Sequence, residues 1–272
     1  MMINFEKIRD DAKWMRNRLL DLALNAGSAG SHLGGALSTV EIFSVLFAII
    51  EKEGKLIDRD RVILSKGHAA MALYCALERH GLLSSEEVDT FETNGTKYFA
   101  HASRDVQKGI DFSGGSLGLG VSYGVGIAMA NKFRGLDRHV YIIVGDGECN
   151  EGIVWEALMT IKNQHLNNIT IIVDCNGFQA DGATYDVLDM SPLEDKFKSF
   201  GMDVSDIDGH SIESLVSVLQ EKKGNCCRVI LAHTIKGKGI SFIENNTSWH
   251  HNVLSPKKYD LAKKELNGNS HE

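Results

Sequence analysis

The sequence predicts an α/β fold: a three-layer, mostly parallel sheet with helices on both faces. Three observations predict it. Continuous apolar runs rich in β-branched residues stand at 62–64, 140–144, 169–173 and 229–231, the composition of strands covered on both faces. Helical periodicities fill the spaces between them, at 69–80, 117–133, 153–165 and 212–222. Only two prolines occur, Pro192 and Pro256, and no Gly/Ser/Pro linker interrupts the alternation, so strand and helix alternate through one layered unit.

Each element follows in order. Phe5, Ile8, Ala12, Met15, Leu19 and Leu22 recur at spacings of three and four, one apolar stripe of an amphipathic helix that stops near Asn25-Ala26-Gly27. Ser38-Thr39-Val40-Glu41 reads as a capping box opening a second helix through Ile42, Leu46 and Ile49. The strands and helices named above come next. Residues 1–254 are expected to form one domain, and 255–272 a polar tail, helical over 257–266.

Composition sets limits on function. The 272 residues are 43% hydrophobic and 24% charged, as in an ordinary globular chain. The net charge of −7 leaves no basic excess for nucleic acid, and the short pairs Lys222-Lys223, Lys257-Lys258 and Lys263-Lys264 sit among acids. No apolar run reaches the roughly 18 residues of a membrane span, and Met1-Met2-Ile3-Asn4-Phe5 does not open a signal peptide. Five cysteines without CxxC spacing suit reduced thiols in a cytoplasmic protein better than disulfides or zinc.

The informative unit is 140–178. An apolar run ends in Gly145-Asp146-Gly147, a helical stretch follows, and the next apolar run ends in Asp174-Cys175-Asn176. This is the length of one βαβ unit. Asp146 and Asn176 are expected just past the carboxyl ends of neighbouring strands, where open α/β sheets bind ligands. Asp146 is a hard anionic oxygen ligand between glycines, and Asn176 offers an amide oxygen. The turn beyond can add a carbonyl from Phe178. This set suits Mg²⁺, with Ca²⁺ or Mn²⁺ as substitutes, whose other ligands are diphosphate oxygens and water. The helix that follows is expected to aim its N-terminal amides at the diphosphate. Neither GxGxxG nor GxxxxGK[ST] occurs in this unit.

Gly-Asp-Gly followed some thirty residues later by Asn resembles the thiamine diphosphate motif. Across the chain the resemblance is to the N-terminal half of transketolases, in the form of the small subunit of a split, two-chain enzyme. It is carried by Ala29-Gly30-Ser31-His32-Leu33-Gly34-Gly35, Leu64-Ser65-Lys66-Gly67-His68-Ala69, Ser113-Gly114-Gly115-Ser116-Leu117-Gly118, the stretch 145–152, the stretch 174–182, and more loosely Lys236-Gly237-Lys238-Gly239 through His251.

The resemblance implies the following. Asp146 and Asn176 bind Mg²⁺ through side chains and Phe178 through its carbonyl. Gly145, Gly147, Glu148 and Asn176 meet the diphosphate, and Gly115, Leu117 and His68 line the cofactor channel. Glu151 reaches across a subunit interface toward the partner's activating glutamate; read alone, it is equally an acid at a helix N-terminus. His32, His68, His101 and one of His250 and His251 stand near the reacting carbon, where imidazoles donate to hydroxyls and move protons near neutral pH. His80, His139, His165, His210, His233 and His271 are left as structural or surface residues, although Asp208-Gly209-His210 is a family-like turn. Departures flank the substrate side: Ser31 before His32, Ala102-Ser103 after His101, and His251 after His250.

The expected activity is transfer of a two-carbon ketol unit from a ketose donor to an aldose acceptor, on sugar or sugar-phosphate substrates. It requires a separate C-terminal-type subunit with the pyrimidine-binding domain, in an α2β2 assembly. The alternatives are the α-type subunit of a 2-oxo-acid dehydrogenase's thiamine component, or a non-catalytic assembly subunit that retains the fold.

Overall fold

Every apolar run of the sequence becomes a strand because it can be covered from both sides. The computed structural model describes residues 3–52, 60–221 and 224–268. Lys222-Lys223, Met1-Met2 and His271 lie outside them. In chain order the elements are α1 (Phe5–Asn25), α2 (Leu33–Leu37), α3 (Val40–Lys52), β1 (Arg61–Leu64), α4 (Ala70–Arg79), α5 (Ser85–Val88), α6 (Leu119–Phe133), β2 (Val140–Gly145), α7 (Gly152–Asn163), β3 (Ile169–Cys175), α8 (Thr184–Leu188), α9 (Leu193–Ser199), β4 (Asp203–Asp208), α10 (Ile212–Gln220), β5 (Arg228–His233) and α11 (Pro256–Gly268).

The sheet is parallel throughout, in the order β1-β2-β3-β5-β4. Side chains alternate strictly between its faces. Tyr141, Ile143, Ile172 and Ile230 join a core built with α1, α2, α3, α4 and α10. Val140, Ile142, Val144, Ile171, Val173 and Leu231 join a second core with α6, α7 and α9. The fold is therefore the three-layer α/β sheet the sequence predicts.

The stripe of α1 is buried as expected at Ile8, Ala12, Met15, Leu19 and Leu22, and Asn4 caps its start by accepting from Lys7 N at 3.1 Å. At its other side α11 packs against α1: Ala262 is buried, and the Tyr259 hydroxyl and Lys263 ammonium both meet Asp21.

Two expectations need correction. Strand β4 has no counterpart among the apolar runs, because Asp-Val-Ser-Asp-Ile-Asp at the edge of the sheet is polar and half exposed, as edge strands are. The capping box at Ser38 does not form. Helix α2 runs directly into α3, so Thr39 O already accepts from Phe43 N at 3.0 Å. The Ser38 hydroxyl instead donates to Asp174 and Gly35, and Glu41 turns to Arg16 and His210.

Candidate active site

A cavity of about 540 Å³ opens at the carboxyl ends of β1, β2 and β3, the edge where a parallel sheet binds ligands. Strand β1 delivers Lys66 and His68, β2 delivers Asp146, and β3 delivers Asn176 and Phe178. All five line the cavity, together with His32, His101, Gly115, Leu117, Gly145, Gly147, Glu148, Glu151 and His250. Every site residue picked from the sequence is thus brought to one place.

Pairing of β2 with β3 sets Gly145 beside Asp174, which puts Asp146 and Asn176 at one end of the cavity. Asp146 accepts from Gly147 N at 2.8 Å and Gly177 N at 2.6 Å. Asn176 accepts from Phe178 N at 3.1 Å and donates to Asp174 at 2.9 Å. Burial, then the neighbouring Asp174, pushes the Asp146 carboxyl up to about 6, so this carboxylate lies short of positive charge. Among the described residues no cluster of three His, Cys, Asp or Glu side chains could hold a metal by itself. One carboxylate, one amide and one carbonyl fit a hard cation that takes its other oxygens from a bound ligand and water. The Gln179 amide nitrogen, on the same wall, is buried without a hydrogen-bond partner. A donor left unsatisfied there fits an anionic ligand.

The amides near Asp146 differ from expectation. A short 3-10 turn, Gly147–Asn150, intervenes before α7 begins at Gly152. Gly147 stays close to the wall, since a Cβ there would lie 2.7 Å from Gln179 Oε1. The Glu148 carboxylate, almost fully buried, accepts from Ser65 Oγ, from Gly118 N at 2.6 Å and from Gly145 N at 3.1 Å. It ties the turn before α6 to the end of β2. Glu151 occupies the N-cap position of α7 but makes no capping hydrogen bond, and it is exposed at the cavity.

The other end is a cluster of imidazoles. The His32 ring lies 5.8 Å from His68, 5.3 Å from His101, 5.5 Å from His250 and 4.6 Å from His251, and His68 lies 5.0 Å from His250. Two backbone hydrogen bonds between Ser31 and Asn252, of 2.9 and 3.0 Å, clamp the two histidine segments together. His250 lines the cavity, whereas His251 is exposed and packs edge-on against His32. Burial, then His251, His250 and His101, drives His32 down to about 3. Burial, then Lys236, drives His250 down to about 4. His68 is lowered by burial and then by Lys66. These rings are neutral at physiological pH, so each can both donate and accept.

Sequence reasoning assigns no role to two lysines that shape this cavity. Lys66 is 1% exposed and pairs with the fully buried Asp174. Burial alone would raise that carboxyl, yet Lys66, Ser38 and Thr234 hold it below its ordinary value. Lys236, also 1% exposed, lies 3.4 Å from the Phe178 carbonyl and 3.1 Å from His250 Nδ1; burial, then Lys66, brings it down to about 8. Its loop is braced from behind. His210 Nε2 accepts from Ile235 N at 2.8 Å while Nδ1 donates to Glu41 at 3.0 Å, and Arg16 holds Glu41 from the opposite side. Both lysines lie inside the family-like stretches, but burial of a lysine leaves no mark in sequence.

Comparison with known proteins agrees with this geometry. The family described as "Transketolase, thiamine diphosphate binding domain" matches residues 12–272. The chain belongs to this family. It is 37% identical over 270 residues to one of the two chains of an apulose-4-phosphate transketolase of Actinobacillus succinogenes, covering 97% of each chain. It is 38% identical over 241 residues to a "6-deoxy-6-sulfo-D-fructose transketolase subunit" of a Clostridium species, covering 86% of this chain and 88% of that one. The crystal structure of transketolase from Campylobacter jejuni superimposes with a TM-score of 0.88 at 28% identity, over 97% of this chain and 43% of that one. This transketolase-family chain therefore matches nearly the full length of relatives named as subunits, and about two-fifths of a single-chain transketolase.

Proposed function

We propose that the chain is the diphosphate-binding subunit of a split transketolase, which transfers a two-carbon ketol unit from a ketose to an aldose. The observation that carries the proposal is the convergence, in one cavity, of Asp146 and Asn176 at one end with four imidazoles at the other. Asp146, Asn176 and the Phe178 carbonyl would hold Mg²⁺, with Ca²⁺ or Mn²⁺ as substitutes. Gly147, Gln179 and the Lys236 ammonium would meet the diphosphate, and Gly115 and Leu117 would flank the thiamine. When bound, thiamine diphosphate supplies the centre that stabilises a carbanion; the protein sets orientation and protonation.

The chain's own residues then do four things. His32, His68, His101 and His250, neutral at pH 7, hold the hydroxyls of the sugar and carry protons to and from them. Glu148 fixes the turn that presents Gly115 and Leu117. Glu151, free of a capping bond at the cavity edge, is available to a second chain. The Lys236 ammonium holds His250 by its Nδ1 atom, which leaves the Nε2–H for the sugar.

The relatives named as subunits support a partner chain that carries the activating carboxylate and the pyrimidine-binding domain, assembled as α2β2. Their names denote ketoses that bear a phosphate or a sulfonate, so substrates with an anionic terminal group are assigned here. The five free thiols support a reducing, cytoplasmic setting. Among the described residues no helix is long and apolar enough to cross a membrane.

The test is co-expression with the partner chain, followed by a mass-resolved assay of ketol transfer from a ketose phosphate to an aldose phosphate. Products shifted by a two-carbon unit are expected, with loss of at least about 100-fold in Asp146→Ala if Asp146 anchors the cation. Decarboxylation of a 2-oxo acid in place of transfer would overturn the assignment. So would full activity in Asp146→Ala.

A further inference from the structure

We infer that Asp174 is a positioning residue: its carboxylate selects the face that Asn176 presents to the cavity, and it ties together the segments that carry the cavity's functional side chains. The inference rests on the reading of Asn176 as a cation ligand. A primary amide has two ends of similar shape, and only its oxygen can bind a cation. In the structure Asn176 Nδ2 donates to Asp174 Oδ2 over 2.9 Å, while Oδ1 accepts from Phe178 N over 3.1 Å. A carboxylate only accepts, so the reversed amide would set oxygen against oxygen.

Asp174 holds this role through its own surroundings. It is fully buried and takes four side-chain donors: Asn176, Ser38 Oγ at 2.6 Å, Lys66 Nζ and Thr234 Oγ1. Each donor belongs to a segment with a cavity residue. Ser38 closes the helix that His32 opens. Lys66 precedes His68 by two residues, and Thr234 precedes Lys236 by two. The Asp174 carbonyl also accepts from Asp146 N at 3.2 Å. Asp174 itself does not line the cavity, so it acts through Asn176 and the tethered segments. Outer partners of this kind set the orientation of the groups that ligate.

The test is Mn²⁺ titration by electron paramagnetic resonance, with saturating thiamine diphosphate, on the complex of this chain with its partner subunit. Three forms are compared: unsubstituted, Asp174→Asn, and Asp174→Asn/Asn176→Asp, each with its thermal midpoint. Asp174→Asn is expected to weaken Mn²⁺ about 10–100-fold. The double variant is expected to recover to within about threefold, because a carboxylate at 176 has no wrong end. A merely structural role would lower the midpoint in both variants without that recovery. Binding by Asp174→Asn within about twofold of the unsubstituted complex, or a double variant no tighter than the single, would overturn the inference. If Asp174→Asn fails to fold, the double variant decides: near-native affinity supports the inference and lost affinity overturns it. An unsubstituted complex that binds no Mn²⁺ under these conditions removes the cation reading itself, and the inference with it.

Discussion

The ammonium of Lys236 donates to Nδ1 of His250 across 3.1 Å. A lysine has no lone pair to offer while charged, so His250 must be the neutral acceptor, with its proton on Nε2. One contact thereby joins the two ends of the cavity. The same ammonium reaches the Phe178 carbonyl at 3.4 Å, beside the proposed cation ligands, and sets the tautomer of an imidazole at the sugar end.

Removing that cation should be felt at both ends. Lys236→Met keeps the length of the side chain and deletes a charge-assisted hydrogen bond worth about 1.5–3 kcal/mol, so thiamine diphosphate affinity is expected to fall roughly 10–100-fold. His250, relieved of a neighbouring positive charge, should titrate above its present value of about 4. Calorimetric titration and histidine NMR read the two effects. Unchanged affinity together with an unchanged His250 titration would contradict the arrangement.

The imidazole cluster makes the fold sensitive to acid. His32 and His250 titrate near 3 and 4 when folded, against about 6.5 unfolded. The unfolded chain therefore binds protons that the folded chain refuses, and stability present above about pH 6.5 is lost as pH falls toward 4. Glu41, held near 2 by Arg16 and His210 against the effect of burial, adds a loss below about pH 4.5. Asp146, raised to about 6, runs the opposite way and offsets one proton of this slope. Urea unfolding at stepped pH should show the fall, and His32→Gln should reduce the slope between pH 6.5 and 4 by about one proton. A slope that His32→Gln leaves unchanged would contradict the assignment.

Two glycine substitutions separate close approach from simple helix propensity. At Gly67 a Cβ would lie 2.8 Å from Gly115 N and 3.0 Å from Gly114 Cα. Backbone must give way, so Gly67→Ala should cost about 1–3 kcal/mol and displace the Gly115 wall of the cavity. At Gly126, within α6, nothing lies within 4 Å of an added Cβ. Gly126→Ala should stabilise the isolated chain by up to about 1 kcal/mol. Chemical unfolding of both variants checks the contrast.

Glu41 carries the brace behind Lys236. Glu41→Ala strips Arg16 and His210 of their shared partner and should destabilise the chain by about 3–5 kcal/mol. Glu41→Gln, which keeps one acceptor oxygen, should cost less. Unfolding curves for the pair give the ranking; equal costs would mean that charge contributes little there.

Most of the fold is legible because strands buried on both faces leave continuous apolar runs, as at 140–144 and 169–173. Strand β4 is not, since an edge strand can stay polar, and Asp203–Asp208 carries three aspartates. The Ser38 capping box fails because α2 abuts α3 and because a residue 136 positions away, Asp174, takes the hydroxyl. At the site, Asp146, Asn176, His32, His68 and His101 are legible from motifs at strand ends. Lys66, Lys236 and Gln179 are not, because what marks them is burial against partners distant in sequence. The choice between His250 and His251 likewise needs the Ser31–Asn252 bridge, which turns one ring into the cavity and leaves the other outside.

The central claim is that the cavity is one half of a thiamine diphosphate site completed by another chain. Native mass spectrometry of the chain purified from its own cell, with Mg²⁺ and thiamine diphosphate present, tests it most directly. The account predicts two copies of this chain, two of a transketolase-like C-terminal chain, and one thiamine diphosphate with one Mg²⁺ per pair. A chain that purifies alone, and carries no thiamine diphosphate, would contradict it.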